Sequence, residues 1–567
     1  MIYKNRLKLA TDIASFFPDS WTPDAVADFL EKPKQSKLGH ISLPVFRLSK
    51  ELKKAPPVLA SEKAEEITNA GLAYIAKVES ASGFINFFWT TDFLLETLKE
   101  VITPEKFGQG KTGAGKKLII DYSSPNVAKP MHVGHLRATI IGQALRNLAE
   151  TQGYEVIGLN HLGDWGVQFG KLAWSYEKFK GDYDFKNNPF QSLYDLYVRF
   201  HKEVEEHPEY EAEGAKAFKA LEDGDEELLK LWKMFIDISM EQYKKTWGRL
   251  GVEHDLVRGE SFYSDRLEAV VKSLKDKNLL VQSEGAWVVE LDEKRPPCLI
   301  TKSDGASLYA TRDLASALYR MEDLGCDLNL YVVGNEQKLH FSQVFSVLEK
   351  MGYEWAKNCH HIGFGLYRFK DVGKMSSRKG QVIRLNDVLN EAVEMVAKRV
   401  KEKNPLLKNK EKISEIVGVG AVVFNDLLND RVKDVEFDWR KVTDFEGDSG
   451  PYVQYGVVRC KSILRKAEGL TPVFAKKLEH ESEVALINLL LEYEHTLKLS
   501  FETFKPNYLA TYLLDITKAF SAFYNNCPIL SVEDQDLKSS RLKLVEVTQK
   551  FIEQGLGVLN ISAPEEM

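Results

Sequence analysis

The chain has 567 residues, of which 44% are hydrophobic and 28% charged, and its net charge is −7 at neutral pH. That length exceeds a single core and suits about two to four domains, and no run approaches the ~18 consecutive apolar residues of a membrane span. The negative total excludes a uniformly basic nucleic-acid coat but leaves room for local basic patches.

The opening MIYKNRLKLATDIASFF reads as an amphipathic helix, not a secretory leader. Residues 1–106 form a module of short elements, with a basic middle, FRLSKELKKAPPVLA (46–60), and a strand-like GFINFFW (83–89). FGQGKTGAGKK (107–117) is a Gly- and Lys-rich linker or flexible loop. It lacks the closing Ser or Thr and the preceding apolar strand of a phosphate-binding P-loop.

KLIIDYSS (117–124) then predicts a buried strand, the run from His132 a helix, and YEVIGLNHLGDWG (154–166) a second strand and turn. Strand, helix, strand at this spacing is a βαβ unit and implies a parallel sheet. Residues of about 168–260 are helical and charged, an insertion that interrupts the sheet. The α/β pattern resumes in AWVVEL, LNLYVVG (328–334) and HHIGFGLYRF (360–369). Beyond about 385 the pattern is almost wholly helical. The expected architecture is a parallel-sheet α/β domain at 117–385 with the helical insertion, a small α+β domain before it, a connecting helical region at 386–448 and an all-α domain at 449–567.

Two elements carry chemistry. In AKPMHVGHLRATIIGQAL (128–145), His132 and His135 stand three apart at a helix start, behind Pro130 and around Gly134. Ligands of open α/β sheets collect at strand ends where helices begin. Imidazole N–H groups beside a positive helix end attract phosphate, and a glycine lets a flat ring approach the backbone. A capping and a packed histidine would look the same in isolation, and two histidines alone are weak evidence for a metal. The second element, GKMSSRKGQVIRL (373–385), is a glycine-flanked loop holding Lys374, Met375, Ser376, Ser377, Arg378 and Lys379. Its lysine can neutralise a departing pyrophosphate; a basic surface loop is the alternative.

Paired, HVGH early and KMSS late resemble the signatures of class I aminoacyl-tRNA synthetases. The strings DYSSPNVAKPMHVGHLRATIIG (121–142), NHLGDWGVQFGKL (160–172), LYATRDLASALYR (308–320), YVVGNEQKLHFSQVF (331–345) and DSGPYVQYGVVR (449–459) are similar to the arginyl-tRNA synthetase family. Two departures are the valine inside the HIGH-type motif and His40, where many members carry an acidic residue.

The resemblance implies a Rossmann-type catalytic domain, a first domain that touches the tRNA elbow and a terminal anticodon-binding domain. It implies ATP-dependent activation of L-arginine and transfer to the 2′-OH of the terminal ribose of tRNA(Arg), by a cytoplasmic monomer. It assigns His132, His135 and Lys374 to catalysis, and Lys129, Gly134, Met375, Ser376 and Ser377 with them to ATP. Asp121, Ser124, Asn126, His132, Tyr309, Asp313 and Gln337 fall around arginine. Asp313 is the expected guanidinium ligand, because a planar cation favours a carboxylate in bidentate geometry; without the resemblance, Asp313 and Arg312 read as a helix cap or a local ion pair, and Asp121 as a strand-end cap. Arg378, Lys379, Tyr452, Tyr455 and Arg459 are assigned to tRNA, although Tyr452 and Tyr455 also suit a helix core. ATP is expected with Mg2+. No zinc is expected, since Cys298, Cys326, Cys359, Cys460 and Cys527 form no CxxC pair. Asn160, His161, Asp164 and Trp165 fit either a site-lining turn or a tight turn with a packed Trp.

Two other classes fit parts of the pattern. A different HxGH enzyme, such as a small nucleotidylyltransferase, would not need the outer domains. A non-catalytic RNA-binding relative would not need both signatures intact.

Overall fold

The computed structural model describes every residue except 1, 34–37, 104–106, 293–294, 303–307, 370–382, 468 and 475–477. The expectations for Lys374, Met375, Ser376, Ser377, Arg378 and Lys379 therefore lie outside the described residues.

The first module folds as helices around an antiparallel sheet in the order β1–β3–β2 (Ile41–Pro44, Phe84–Trp89 and Ile75–Ala81), with its own apolar core. It meets the terminal helices through Lys32 and Glu492, 3.1 Å apart.

The segment after it is not the flexible linker its composition predicts. Phe107 stacks on Phe551 with ring centroids 4.2 Å apart. Gly110 and Gly113 donate backbone N–H groups to the carbonyls of Thr151 and Gln152. Glycine here lets the chain lie close against its neighbours.

The central sheet has five parallel strands in the order β11–β10–β4–β5–β6 (Cys359–His361, Leu328–Tyr331, Lys117–Asp121, Glu155–Asn160 and Leu256–Val257). β4 reads KLIID, and its Leu118, Ile119 and Ile120 are buried, the pattern of a strand covered on both faces. After β4 the chain adds β5 on one side, then returns to lay β10 on the other. The seam between β4 and β10 is therefore the switch point where such sheets bind ligands, at the carboxyl ends of the strands.

The helix Val133–Thr151 crosses this sheet and buries Leu136, Ile140, Ile141, Leu145 and Leu148. Each such side chain contributes about 1.5–3 kcal/mol of apolar burial. Gly142 brings the helix against Tyr122, whose side-chain atoms lie 2.3–2.7 Å from where a Cβ would stand.

Between β5 and β6 the chain makes four helices, Val167–Phe179, Pro189–Glu206, Glu209–Glu222 and Glu226–Leu250. A three-stranded antiparallel meander follows, β7 (Leu280–Ser283), β8 (Ala286–Val289) and β9 (Cys298–Thr301).

HHIGFGLYRF, where the α/β pattern is expected to resume, holds two short strands, β11 and β12 (Tyr367–Phe369), separated by a segment containing Gly363 and Gly365. β12 pairs in parallel with β13 (Val435–Phe437), a strand that the helical reading beyond residue 385 missed. Fully buried Arg137 holds this region together. Its Nε lies 3.0 Å from the Asp426 carboxylate, and its Nη atoms donate to the carbonyls of Gly365, Arg431 and Lys433. The last region is all-helical: Gly450–Lys466, Glu481–Leu490, Tyr493–Glu502, Asn507–Asn526 and Gln535–Val558. No described helix is long and apolar enough to cross a membrane.

Candidate active site

Where β4 ends, the chain turns through Ser123 (φ 73°) and Ala128 (φ 65°), both in the left-handed region. Backbone strain of this kind collects at sites whose surroundings enforce it. Here Ser123 Oγ accepts from Trp247 Nε1, and the Ala128 N–H donates to Ser239 Oγ, both on the insertion helix Glu226–Leu250. The insertion thus braces the loop between strand and helix.

His132 is the N-cap of the helix that follows. The Gly134 N–H donates to His132 Nδ1 at 3.0 Å, and the His132 N–H donates to His135 Nδ1 at 3.1 Å. Two backbone donors at the helix start are thereby satisfied, in the manner of a capping box. Because each Nδ1 accepts, each neutral ring carries its proton on Nε2. The rings lie 3.9 Å apart. Burial lowers the pKa of both; for His135, burial and the neighbouring imidazole bring it to about 3. The turn thus holds two neutral imidazoles, each with one N–H to give.

Gly134 has a local reason as well. A Cβ there would stand 2.8–2.9 Å from the His132 ring, so the missing side chain lets that imidazole fold back on the helix start. Lys129 turns its amine over the Tyr197 ring of the insertion, 4.7 Å from the centroid.

The loop that leads from β4 to this turn opens on a cavity of about 440 Å³, lined by residues from the ends of β4, β5 and β10 and from the helices beyond. It gathers Asp121, Ser124, Asn126, Tyr309, Asp313 and Gln337, six of the seven residues assigned to one ligand from the sequence. His132, the seventh, is not among the lining residues.

Asp121 is buried and paired with Arg320 at 2.8 Å. Burial pushes its carboxyl up, but Arg320, His161 and a hydrogen bond from Ser124 Oγ outweigh that, and the net direction is down. Tyr309 and Asp313 share a face of the helix Tyr309–Leu318, four residues apart. Tyr309 is 69% exposed, and Asp313 Oδ2 pairs with His340 Nε2 at 2.5 Å.

Glu260, Arg312, His161 and His340 also line the cavity, and sequence reasoning did not place them around this ligand. Glu260 is the notable omission: burial, opposed by Arg312 and reinforced by Asp164 and Asp313, brings its carboxyl to about 7. HLGDWG carried a signal for His161, which the sequence left between two readings. The structure divides that turn. His161 lines the cavity, Asp164 accepts from the Ser261 N–H and Oγ, and Trp165 packs on Trp232.

Between the first terminal helix and the preceding helix Leu385–Lys403 lies a second cavity, of about 530 Å³, lined by Tyr452, Tyr455 and Arg459 with Phe445 and Arg399. The Arg459 guanidinium lies 4.9 Å from the Tyr455 ring centroid. Tyr452 is partly buried and bonds Ser521 Oγ, whereas Tyr455 is 36% exposed.

Comparison with known proteins gives three consecutive family matches. Residues 4–89 match the arginyl tRNA synthetase N terminal domain, 97–439 the class I (R) tRNA synthetase catalytic domain, and 453–567 the DALR anticodon binding domain. The chain is 43% identical to arginine–tRNA ligase 2 of Bacillus anthracis over the full length of both. It is also 43% identical to the arginine–tRNA ligase of Clostridium botulinum Alaska E43, over 96% of this chain and 97% of that one. Among solved structures, the arginyl-tRNA synthetase of Thermus thermophilus superposes with a TM-score of 0.84 at 26% identity, covering 99% of this chain and all of the other. That of Plasmodium falciparum superposes at 0.80 and 25% identity, covering 95% and 94%.

Proposed function

The chain belongs to the arginyl-tRNA synthetase family of class I aminoacyl-tRNA synthetases, and we propose that it performs the family's reaction with the groups gathered at the His132 turn and the adjoining cavity. The reaction activates L-arginine with ATP and transfers it to tRNA(Arg).

In the first step a carboxylate oxygen of arginine forms a bond to the α-phosphorus of ATP. The bond from that phosphorus to the bridging oxygen breaks, and pyrophosphate carries away the electron pair. ATP enters as its magnesium complex; among the described residues no group of three or more His, Cys, Asp or Glu side chains could hold a metal ion. The protein's task is positioning and charge stabilisation. The Nε2–H groups of His132 and His135 donate to phosphate oxygens, where negative charge grows. Being neutral, both remain hydrogen-bond donors that lose no proton to the phosphates. Lys374 is the counter-charge for pyrophosphate, a role that rests on the KMSS sequence.

The cavity takes the amino acid. Asp313 and Glu260 flank the guanidinium, with Tyr309 over its face. Asp121, Asn126 and Ser124 hold the α-amino and carboxylate end, and Gln337 closes the rim. The observation that carries this reading is the convergence of three carboxylates from separate elements on one cavity, which also takes in Ser124 and Asn126 of the loop that leads to the two imidazoles.

In the second step a terminal ribose hydroxyl of tRNA, the 2′-OH, attacks the arginyl carbonyl and AMP leaves. Tyr452, Tyr455 and Arg459 offer aromatic and cationic faces to unstacked bases. ATP–pyrophosphate exchange, measured with each amino acid with and without total tRNA, tests the whole. Exchange with arginine alone, dependent on tRNA, is expected. Exchange with another amino acid would overturn the pocket assignment, and none under any condition would overturn the activity.

A further inference from the structure

Each carboxylate lining the arginine cavity already has a basic side chain beside it: Asp121 has Arg320, Asp313 has His340 and Glu260 has Arg312. Arg320 and Arg312 differ in position. Arg320 is 1% exposed and absent from the cavity wall, a buried support for Asp121. Arg312 and Glu260, 17% and 18% exposed, both line the cavity. Their contact is single and long, Nη1 to Oε2 at 3.4 Å, not the two-pronged fork of a closed Arg–carboxylate pair. A carboxylate has about four acceptor positions, so this contact leaves Glu260 with capacity for a second partner.

We propose that Arg312 is a specificity-determining residue, whose guanidinium shifts the Glu260 carboxyl toward its ionised form, so that the cavity favours a cationic guanidinium over the neutral ureido group of the same shape. The inference rests on the reading of this cavity as the arginine site.

The surroundings of Glu260 explain why it needs such help. Burial disfavours its charge, and so do Asp164 in the turn after β5 and Asp313 on the helix Tyr309–Leu318; Arg312, next to Asp313, is the cation that opposes them. An ionised carboxylate only accepts hydrogen bonds, which matches a guanidinium, a group that only donates. A protonated carboxyl donates through its O–H, and that donor suits the carbonyl oxygen of a ureido group. The protonation state of Glu260 thus decides between arginine and citrulline, which differ at that end by N–H against O.

The test uses the full-length protein with tRNA present. Arginine- and citrulline-dependent ATP–pyrophosphate exchange is measured from about pH 6.5 to about pH 9 for the unaltered chain, Arg312→Met and Arg312→Lys. A loss of one pKa unit of support for the carboxylate corresponds to about a tenfold change in its ionised fraction. Arg312→Met is therefore expected to raise the arginine KM about tenfold near pH 6.5. The preference over citrulline should narrow by the same factor, and both should return toward the unaltered values near pH 9. Arg312→Lys, which keeps the charge, should follow the unaltered profile, and the ATP KM should not move in either variant. Glu260→Gln, fixed in the neutral form, should narrow the preference at every pH.

An arginine KM raised equally at all pH values by Arg312→Met would make Arg312 a packing residue and overturn the proposal. A lowered KM would make it a mere competitor and overturn the proposal equally. Undiminished discrimination in Glu260→Gln would do the same if the Arg312 variants fail to fold. Absence of arginine-dependent exchange in the unaltered chain would instead overturn the underlying reading, and the inference with it.

Discussion

At the start of the helix Val133–Thr151, two imidazoles stay neutral by burial and spend their Nδ1 atoms on the backbone. In the cavity beside them, three carboxylates each face a basic side chain. The first region needs no ionised group to hold its shape, because a helix terminus already presents partial positive charge. The second, proposed to admit a cation, gathers three acids and sets a basic neighbour beside each. On the proposed reading, phosphate binding rests on orientation and guanidinium binding on balanced charge.

The strongest way to break this contrast is to remove one imidazole. His135→Ala should lower kcat about 10²–10³-fold, as loss of a donor to developing charge does, with the arginine KM unmoved. A matching rise in arginine KM would show that the two regions act as one.

Next in size, Asp313→Asn should raise the arginine KM about 10–100-fold, from the ~1.5–3 kcal/mol of a charged hydrogen bond, and leave the ATP KM alone. Equal changes in both constants would count against the assignment of Asp313 to the guanidinium.

A separate readout, in Tm instead of rate, is the pH dependence of thermal stability. His40, His135 and His254 are held by burial at about 4, 3 and 4, below the ordinary 6.5. The unfolded chain takes protons that these native rings refuse, so their contribution is present above about pH 6.5 and is lost on acidification toward 4. Each accounts for up to about 1.4 kcal/mol per pH unit in that window. Glu260 acts oppositely. Raised to about 7, it favours the native state at low pH and costs stability as pH climbs from its ordinary 4.5. The apparent Tm should therefore rise from about pH 4 to 6.5, and more steeply in Glu260→Gln. A flatter Tm profile in that variant would contradict the assignment of a raised pKa to this carboxyl.

Much of this arrangement is legible in the chain itself. KLIID followed by a Pro-His-Gly helix start announces the strand and turn, because burial on both faces and capping chemistry are local properties. Asp121, Ser124 and Asn126 fall in one short string, and Tyr309 and Asp313 on one helical face, so a family resemblance reaches them together. Glu260 escaped because it opens ESFYSDR (260–266), a 3₁₀ segment after the insertion with no periodic pattern. Only the return of β6 to the edge of β5 brings it across the sheet. Arg312 was visible but ambiguous, since a helical arginine beside an aspartate looks the same whether it forms a local ion pair or faces a carboxylate 52 residues away. Residues 107–117 misled because glycine signals both slack chain and close approach, and composition does not separate the two.

Arg137 bears on how far the protein can be trimmed. Its guanidinium is neutralised by Asp426, and its N–H groups are used by carbonyls at 365, 431 and 433. A fragment ended near residue 400 would strand that cation inside the helix bearing His132 and His135, and an unpaired buried charge costs about 3–5 kcal/mol. A workable minimal fragment has to run through β13, to about residue 437, so the smallest unit able to bind nucleotide is longer than the parallel sheet that gives the domain its outline.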